Sequence, residues 1–249
     1  MPKEFEGDLP SGIGSILWSD VGSKFYEKCT VGQSRPGWVV KENQVTELAW
    51  KVLPDGDSAV VDDKYRWDWI KSDQLPEVAE KLKKAAKADL ESRTAEGTVY
   101  RPDPTSPGLL NWIHVRGPWL SSTKPPADEP VGIRTTSAEG VETIVIFCAY
   151  NEHIDKRLLI TCAENLLPEH LPSLLAKLDT VGNRAKRTEG WIWGVDLDSE
   201  LVKAWKGLEK RKVTSGARAE MAGHLLGVAW YGDEADQGEF VEWQMWDWC

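Results

Sequence analysis

Cysteine is sparse in this chain of 249 residues: Cys29, Cys148, Cys162 and Cys249 stand far apart and form no C-x-x-C pair. That spacing suggests neither a disulfide framework nor a zinc site. Long apolar runs are missing too. No stretch of about 18 apolar residues occurs, and residues 1–10 are acidic without the apolar centre of a secretory leader, so membrane spanning and secretion are not expected. Positive charge is in deficit, with 30 Lys and Arg against 40 Asp and Glu and a formal net charge of -10. A nucleic-acid partner needs a clustered basic face. The one basic run, residues 81–87, is interrupted by apolar residues at helical spacing, as on a solvated helix face. Also absent are the G-x-S-x-G elbow, the P-loop, H-E-x-x-H and a calcium-binding loop, so neither nucleophilic nor metal-dependent hydrolysis is expected. The expectation is a reduced, cytoplasmic protein with no nucleic-acid or membrane partner; nothing in the pattern excludes a homo-oligomer.

Tryptophan is what the chain has in excess, 14 residues against 4 Phe and 5 Tyr. Its large flat apolar surface and single N–H donor suit both a core and the wall of a pocket for an unsaturated ligand. Hydrophobic residues at 41% and charged residues at 28% are ordinary for a globular chain, long enough to bury a sizeable core. Residues 15–18 read as a strand, 20–28 as a short helix with Val21 and Phe25 one turn apart, and 37–40 as a returning strand. Residues 43–70 have mixed periodicity and receive no assignment, although Tyr65 to Trp69 alternates aromatic and charged groups as a half-buried strand would. Leu75, Val78, Ala79, Leu82, Ala86 and Leu90 form one apolar stripe, which predicts an amphipathic helix about 20 residues long. Between 101 and 130 prolines crowd the chain, yet Trp112, Ile113 and Trp119 are too apolar for a solvated linker, so this loop is expected to pack back and line a cleft.

The second half is more regular. Residues 142–150 and 157–163 predict a hairpin, 168–178 a helix, and 191–195 a strand. Asp198 is the expected N-cap of a helix presenting Leu201, Trp205 and Leu208. Strands are expected at 225–231 and 240–248. The sum is an α+β protein with a mixed, largely antiparallel sheet and helices packed on it. The expected division is 1–100, a connecting loop over 101–130, and 131–249.

Ser15 to Lys28, closing at Gly37-Trp38, together with residues 147–160, the Leu-Val-Lys-Ala-Trp-Lys core at 201–206, Trp230-Tyr-Gly-Asp, Val241-Glu-Trp and a terminal Trp-Cys, resembles the fungal lysine N-acetyltransferase-like family of the GNAT superfamily. The resemblance runs from about Ser11 to Cys249 in the family's order. It implies a truncated GNAT-like segment over 1–100 and the family's C-terminal α+β domain over 131–249. What it implies about cofactor is a departure. The family's Arg/Gln-x-x-Gly-x-Gly/Ala turn holds the acetyl-CoA pyrophosphate on backbone N–H groups at a helix N-terminus. No such turn precedes residue 15, and Gly12-Ile-Gly14 lacks the flanking strand and helix. The expectation is therefore no cofactor. Tyr26 sits where the family often places a tyrosine that protonates the departing thiolate.

The candidate catalytic residues are Tyr26 and His114, the latter set among Trp112, Arg116 and Trp119 in the proline-rich loop. Trp18, Trp67, Trp69, Trp112 and Trp119 are candidate apolar walls of a substrate site, and Arg116 and Arg134 candidate holders of a substrate carboxylate. His153 and His170 are expected at the surface. The favoured function is a CoA-independent isomerase or cyclase acting on an apolar, unsaturated metabolite of fungal-type secondary metabolism. It would work by holding one folded conformer and hydrogen-bonding its developing charge. Two alternatives stand beside it: an N-acetyltransferase completed by a partner or a longer chain, and a non-catalytic binding module.

Overall fold

The computed structural model describes residues 14–19, 24–29, 39–40, 45–57, 64–93, 97–106, 110, 125–126, 128–150, 157–218, 224–231 and 238–247. In chain order the elements are β1 (Gly14–Ser19), α1 (Lys24–Glu27), β2 (Val39–Val40), β3 (Thr46–Lys51), β4 (Asp68–Ile70), α2 (Leu75–Ser92), β5 (Val99–Tyr100), β6 (Gly132–Thr136), β7 (Glu142–Cys148), β8 (Leu158–Glu164), α3 (Leu171–Arg184), β9 (Glu189–Trp193), α4 (Glu200–Lys206), β10 (Thr214–Ala217), β11 (Leu225–Trp230) and β12 (Glu239–Phe240). This is an α+β fold whose strand pairs are antiparallel except β8 with β9 and β12 with β5. Among the described residues no helix is long and apolar enough to cross a membrane.

Two compact units interleave along the chain. One comprises 1–42, 94–101 and 219–241; the other comprises 43–93, 102–218 and 242–249. They do not follow the consecutive division expected at 100 and 130, because β3 and β4 share one sheet with strands from the second half.

In the first unit β11 lies between β1 and β2. The returning strand at 39–40 thus pairs with β11 rather than with β1. Of the helix expected over 20–28 the described part is α1, and residues 20–23 lie outside the described residues. Tyr100 on β5 packs against Trp230 at 5.4 Å and Phe240 at 5.6 Å between ring centroids. Gly238 allows the chain to cross the Trp230 ring: a Cβ there would lie 2.4 Å from it.

The second unit holds a seven-stranded sheet in the order β10-β3-β9-β8-β7-β6-β4. Alternation along β7 sends Val145 and Phe147 to one face and Ile144 and Ile146 to the other, and all four are buried. On the first face they meet Leu171, Leu174 and Leu178 of α3 and Val202 and Trp205 of α4. On the second they meet Leu75, Val78 and Leu82 of α2, together with Trp246. The α2 stripe behaves as its spacing predicts, over 18 residues. The crossover through α3 makes β8 and β9 parallel.

Several local expectations fail for identifiable reasons. β3 and β4 arise in the unassigned stretch, where Leu48 and Trp50 point to the α3 face while Glu47 sits across the sheet. Ser199, not Asp198, caps α4, its Oγ accepting from the Val202 N–H at 3.3 Å. The last expected strand is confined to Glu239–Phe240. Just beyond it the Glu242 carboxylate takes the N–H groups of Trp243 and Gln244, at 3.0 and 2.9 Å, which removes the donors a ladder needs. The chain then makes a 3-10 turn at Met245–Asp247.

His170, expected at the surface, is buried at 3% exposure. Its ring stands edge-on to Tyr65 at 4.6 Å and Trp67 at 5.9 Å. Nδ1 accepts from the Leu167 N–H at 3.2 Å. Burial lowers its pKa below the ordinary 6.5, so the native state binds fewer protons than the unfolded chain below that value. Stability should hold above about pH 6.5 and decline as pH falls through and below it. His170→Asn keeps an acceptor near the Nδ1 position and should flatten this part of the curve. Urea melts across pH 5 to 8 check it.

Trp50 lies over Gly190, its partner in the β3–β9 register, and meets Trp205 at 5.0 Å between ring centroids with the planes tilted by 46°. A Cβ at position 190 would fall 2.0 Å from the Trp50 ring. Gly190→Ala should therefore destabilise by about 3 kcal/mol or more, the upper end for core overpacking, measured by chemical denaturation. A change within error would show that Trp50 does not pack there.

Candidate functional site

The residues expected to share a site fall partly in each unit and partly outside the described residues. Trp18 and Tyr26 belong to the first unit; Trp67, Trp69 and Arg134 belong to the second. Trp112, His114, Arg116 and Trp119 lie outside the described residues, as does His153. Trp18 is buried in β1. Tyr26 is half-buried, with Phe25 edge-on at 5.0 Å. Trp67 is a core residue whose Nε1 donates to Ser173 Oγ at 2.8 Å. Trp69 is 38% exposed on the edge strand β4, 6.3 Å from Phe147. Arg134 meets Glu77 at 3.2 Å and Glu142 at 3.7 Å, so carboxylates of the chain itself already match its charge.

A different constellation forms where β7 ends. Beyond Cys148 the strand runs out through Ala149 and Tyr150, both buried. The C-terminus of α3 is aimed at this exit by a Schellman turn. Lys186 takes a left-handed φ of 57°, its N–H bonds the Asn183 carbonyl, and the Arg187 N–H bonds the Gly182 carbonyl at 2.7 Å. The turn carries Arg187 inward, where Nε donates to the Ala149 carbonyl at 2.6 Å. One turn earlier, Arg184 reaches Glu129 Oε2 at 2.9 Å.

Glu129 is the chemically unusual member. Its side chain is only 7% exposed, against 47% for Arg184. Oε1 is buried with no hydrogen-bond partner among the described residues. Burial raises the Glu129 carboxyl above its ordinary 4.5, with Arg184 opposing and Asp128 reinforcing. Tyr150 is raised as well, first by burial and then by the Glu129 charge, against Arg184 and Arg187. Burial pushes the neighbouring Cys148 thiol up to about 12 despite Arg187 and the Tyr150 N–H, which makes it a packing residue rather than a nucleophile. The cluster thus combines a desolvated carboxyl, a phenol and two guanidinium groups. Such a set can move a proton and stabilise a developing negative charge.

Other polar groupings serve the fold. Arg157 and Arg218 stack on Trp191 and Trp193 at 3.6 and 3.8 Å, and Glu47 accepts from Trp191 Nε1 at 3.0 Å. Among the described residues no group of three or more His, Cys, Asp or Glu could hold a metal ion. No protein-family model, curated protein or solved structure matches the chain.

The sequence offered faint signs of the cluster. Tyr150 lies two residues beyond the apolar run of β7, Glu129 is one of two adjacent acids before a proline, Arg184 ends the leucine-rich α3 and Arg187 follows it. Their convergence depends on a left-handed Lys186 that no glycine announces.

Burial also sets thiol reactivity. Native protein treated with iodoacetamide should be alkylated at the exposed Cys29 and protected at Cys148 and Cys162 until unfolded, as mapped by peptide mass. Rapid labelling of Cys148 in the native state would contradict the packed end of β7.

Proposed function

We propose that this chain is a cofactor-independent isomerase or cyclase that acts on a small unsaturated metabolite by proton transfer, with Glu129 carrying the proton. The observation that carries the reading is the buried, unpartnered Oε1 of a carboxyl whose pKa is raised. A carboxyl raised by desolvation is a stronger base once ionised than a solvated one, which is what such chemistry needs. In the proposed step Glu129 removes a proton from a carbon adjacent to a carbonyl. The Tyr150 hydroxyl donates a hydrogen bond to the oxygen on which charge develops, and Arg184 balances the carboxyl as its protonation changes. Glu129 then returns the proton at another carbon, so the double bond shifts with no net gain or loss of atoms. Where a second unsaturated group folds against the intermediate, ring closure is the other outcome of the same site.

The resemblance to the fungal lysine N-acetyltransferase-like family supports descent from an acyl-transfer body. A cytoplasmic setting, a small-molecule partner and no nucleic acid belong to the same reading. Fold alone carries none of this.

Deuterated buffer and a panel of β,γ-unsaturated ketones and acids test it. The wild type should shift the double bond with deuterium incorporated, and Glu129→Gln should lower that rate by about 100-fold or more. Tyr150→Phe should lower it by about 10- to 100-fold, with thermal melts confirming that both variants fold. Equal rates in wild type and Glu129→Gln, or no exchange on any compound, would contradict the proposal. So would micromolar binding of acetyl-CoA by this chain alone, which instead supports acetyl transfer.

A further inference from the structure

We infer that the substrate of the Glu129–Tyr150 site bears a carboxylate and that Arg187 holds it; this rests on the proton-transfer reading above for where the chemistry occurs. Three arginines are buried among the described residues: Arg187, Arg211 and Arg218. A guanidinium stays charged at any physiological pH, and a buried charge is retained where a counter-charge meets it. Arg211 is answered by Asp179 in a two-point contact at 2.5 and 2.8 Å. Arg218 faces Glu47 at 3.5 Å. Arg187, 7% exposed, has no carboxylate partner among the described residues. The nearby acid, Glu129, is engaged by Arg184.

The geometry of Arg187 fits an end-on guest. Nε is committed to the Ala149 carbonyl, which fixes the plane of the group. Nη1 and Nη2 have no hydrogen-bond partner among the described residues, and together they present the two parallel N–H bonds that a carboxylate accepts. The Schellman turn fixes the backbone from which the side chain departs. The 2.6 Å bond from Nε to the Ala149 carbonyl sets the guanidinium against the backbone immediately before Tyr150. An unsaturated acid held there would be anchored at one end while its double bonds lie near the proton-carrying groups, the arrangement that raises effective concentration.

Calorimetric titration of the full chain with sorbate (2,4-hexadienoate) and benzoate, each against its methyl ester, tests the inference. The acids should bind at least about tenfold more tightly than the esters. Arg187→Met should abolish that preference and Arg187→Lys should retain part of it, with melts confirming folding. Glu129→Gln should keep the preference. The acid-to-ester comparison in the wild type decides even if Arg187→Met does not fold. Equal binding of acid and ester, no binding of either acid, or a preference that survives in a folded Arg187→Met variant would overturn the inference. If Glu129→Gln still exchanges protons while Arg187 governs acid binding, the proton-transfer reading fails and the carboxylate site stands. If Glu129→Gln is inactive and acid and ester bind alike, the reverse holds.

Discussion

Strand β7 is buried on both faces, and that constraint governs the unit around it. Ile144 and Ile146 face the α2 side while Val145 and Phe147 face α3 and α4. A strand so placed has no access to water, so each of its backbone polar groups must find a partner within the protein. Pairing with β6 and β8 meets most of that demand. At the exit the ladder stops and the Ala149 carbonyl remains; Arg187 is the donor that meets it. A structural requirement of the sheet thus draws a guanidinium into the interior at the end of the strand.

The electrostatic character of the cluster follows from how incompletely its charges are matched. Asp179 and Arg211 show the closed solution, in which a two-point contact is supplemented by the Leu53 N–H on the same carboxylate. Glu129 has one oxygen on a half-exposed Arg184 and the other buried without a partner. Burial therefore outweighs the ion pair, and the carboxyl holds its proton more tightly than a free glutamate does. Arg187 has its Nε occupied and its outer nitrogens open. Groups left in this state are what proton transfer and anion recognition require, whereas a sealed pair such as Asp179–Arg211 serves stability alone.

Much of the fold was legible because its strongest elements are periodic. The α2 stripe, the aliphatic runs of β7 and β8, the leucine face of α3 and the strand at 225–230 need only side-chain spacing to be recognised. What failed depends on contacts between distant segments. β3 is interpretable only once Trp50 is seen lying over Gly190. His170 reads as a surface residue until Tyr65 and Trp67, far earlier in the chain, close over it. The strand expected through residue 248 stops because a side chain, Glu242, takes the backbone donors. Among the described residues most of the tryptophan serves packing, with Trp18, Trp50, Trp67, Trp191, Trp193, Trp205 and Trp246 buried. The candidate site was the least legible part. Glu129 and Arg184 stand 55 residues apart, and the turn that delivers Arg187 uses a left-handed lysine where glycine would have been the visible cue.

The central claim is that the end of β7 buries a carboxyl strongly enough to hold its proton beyond the ordinary range despite an adjacent arginine. Titrating the Glu129 side-chain carboxyl by carbon-13 NMR in the wild type, with Glu129→Gln used to assign the resonance, tests this directly. The account requires a midpoint above 4.5, moving higher still in Arg184→Gln. A midpoint at or below 4.5 would mean that solvent reaches Oε1 freely, and would contradict it.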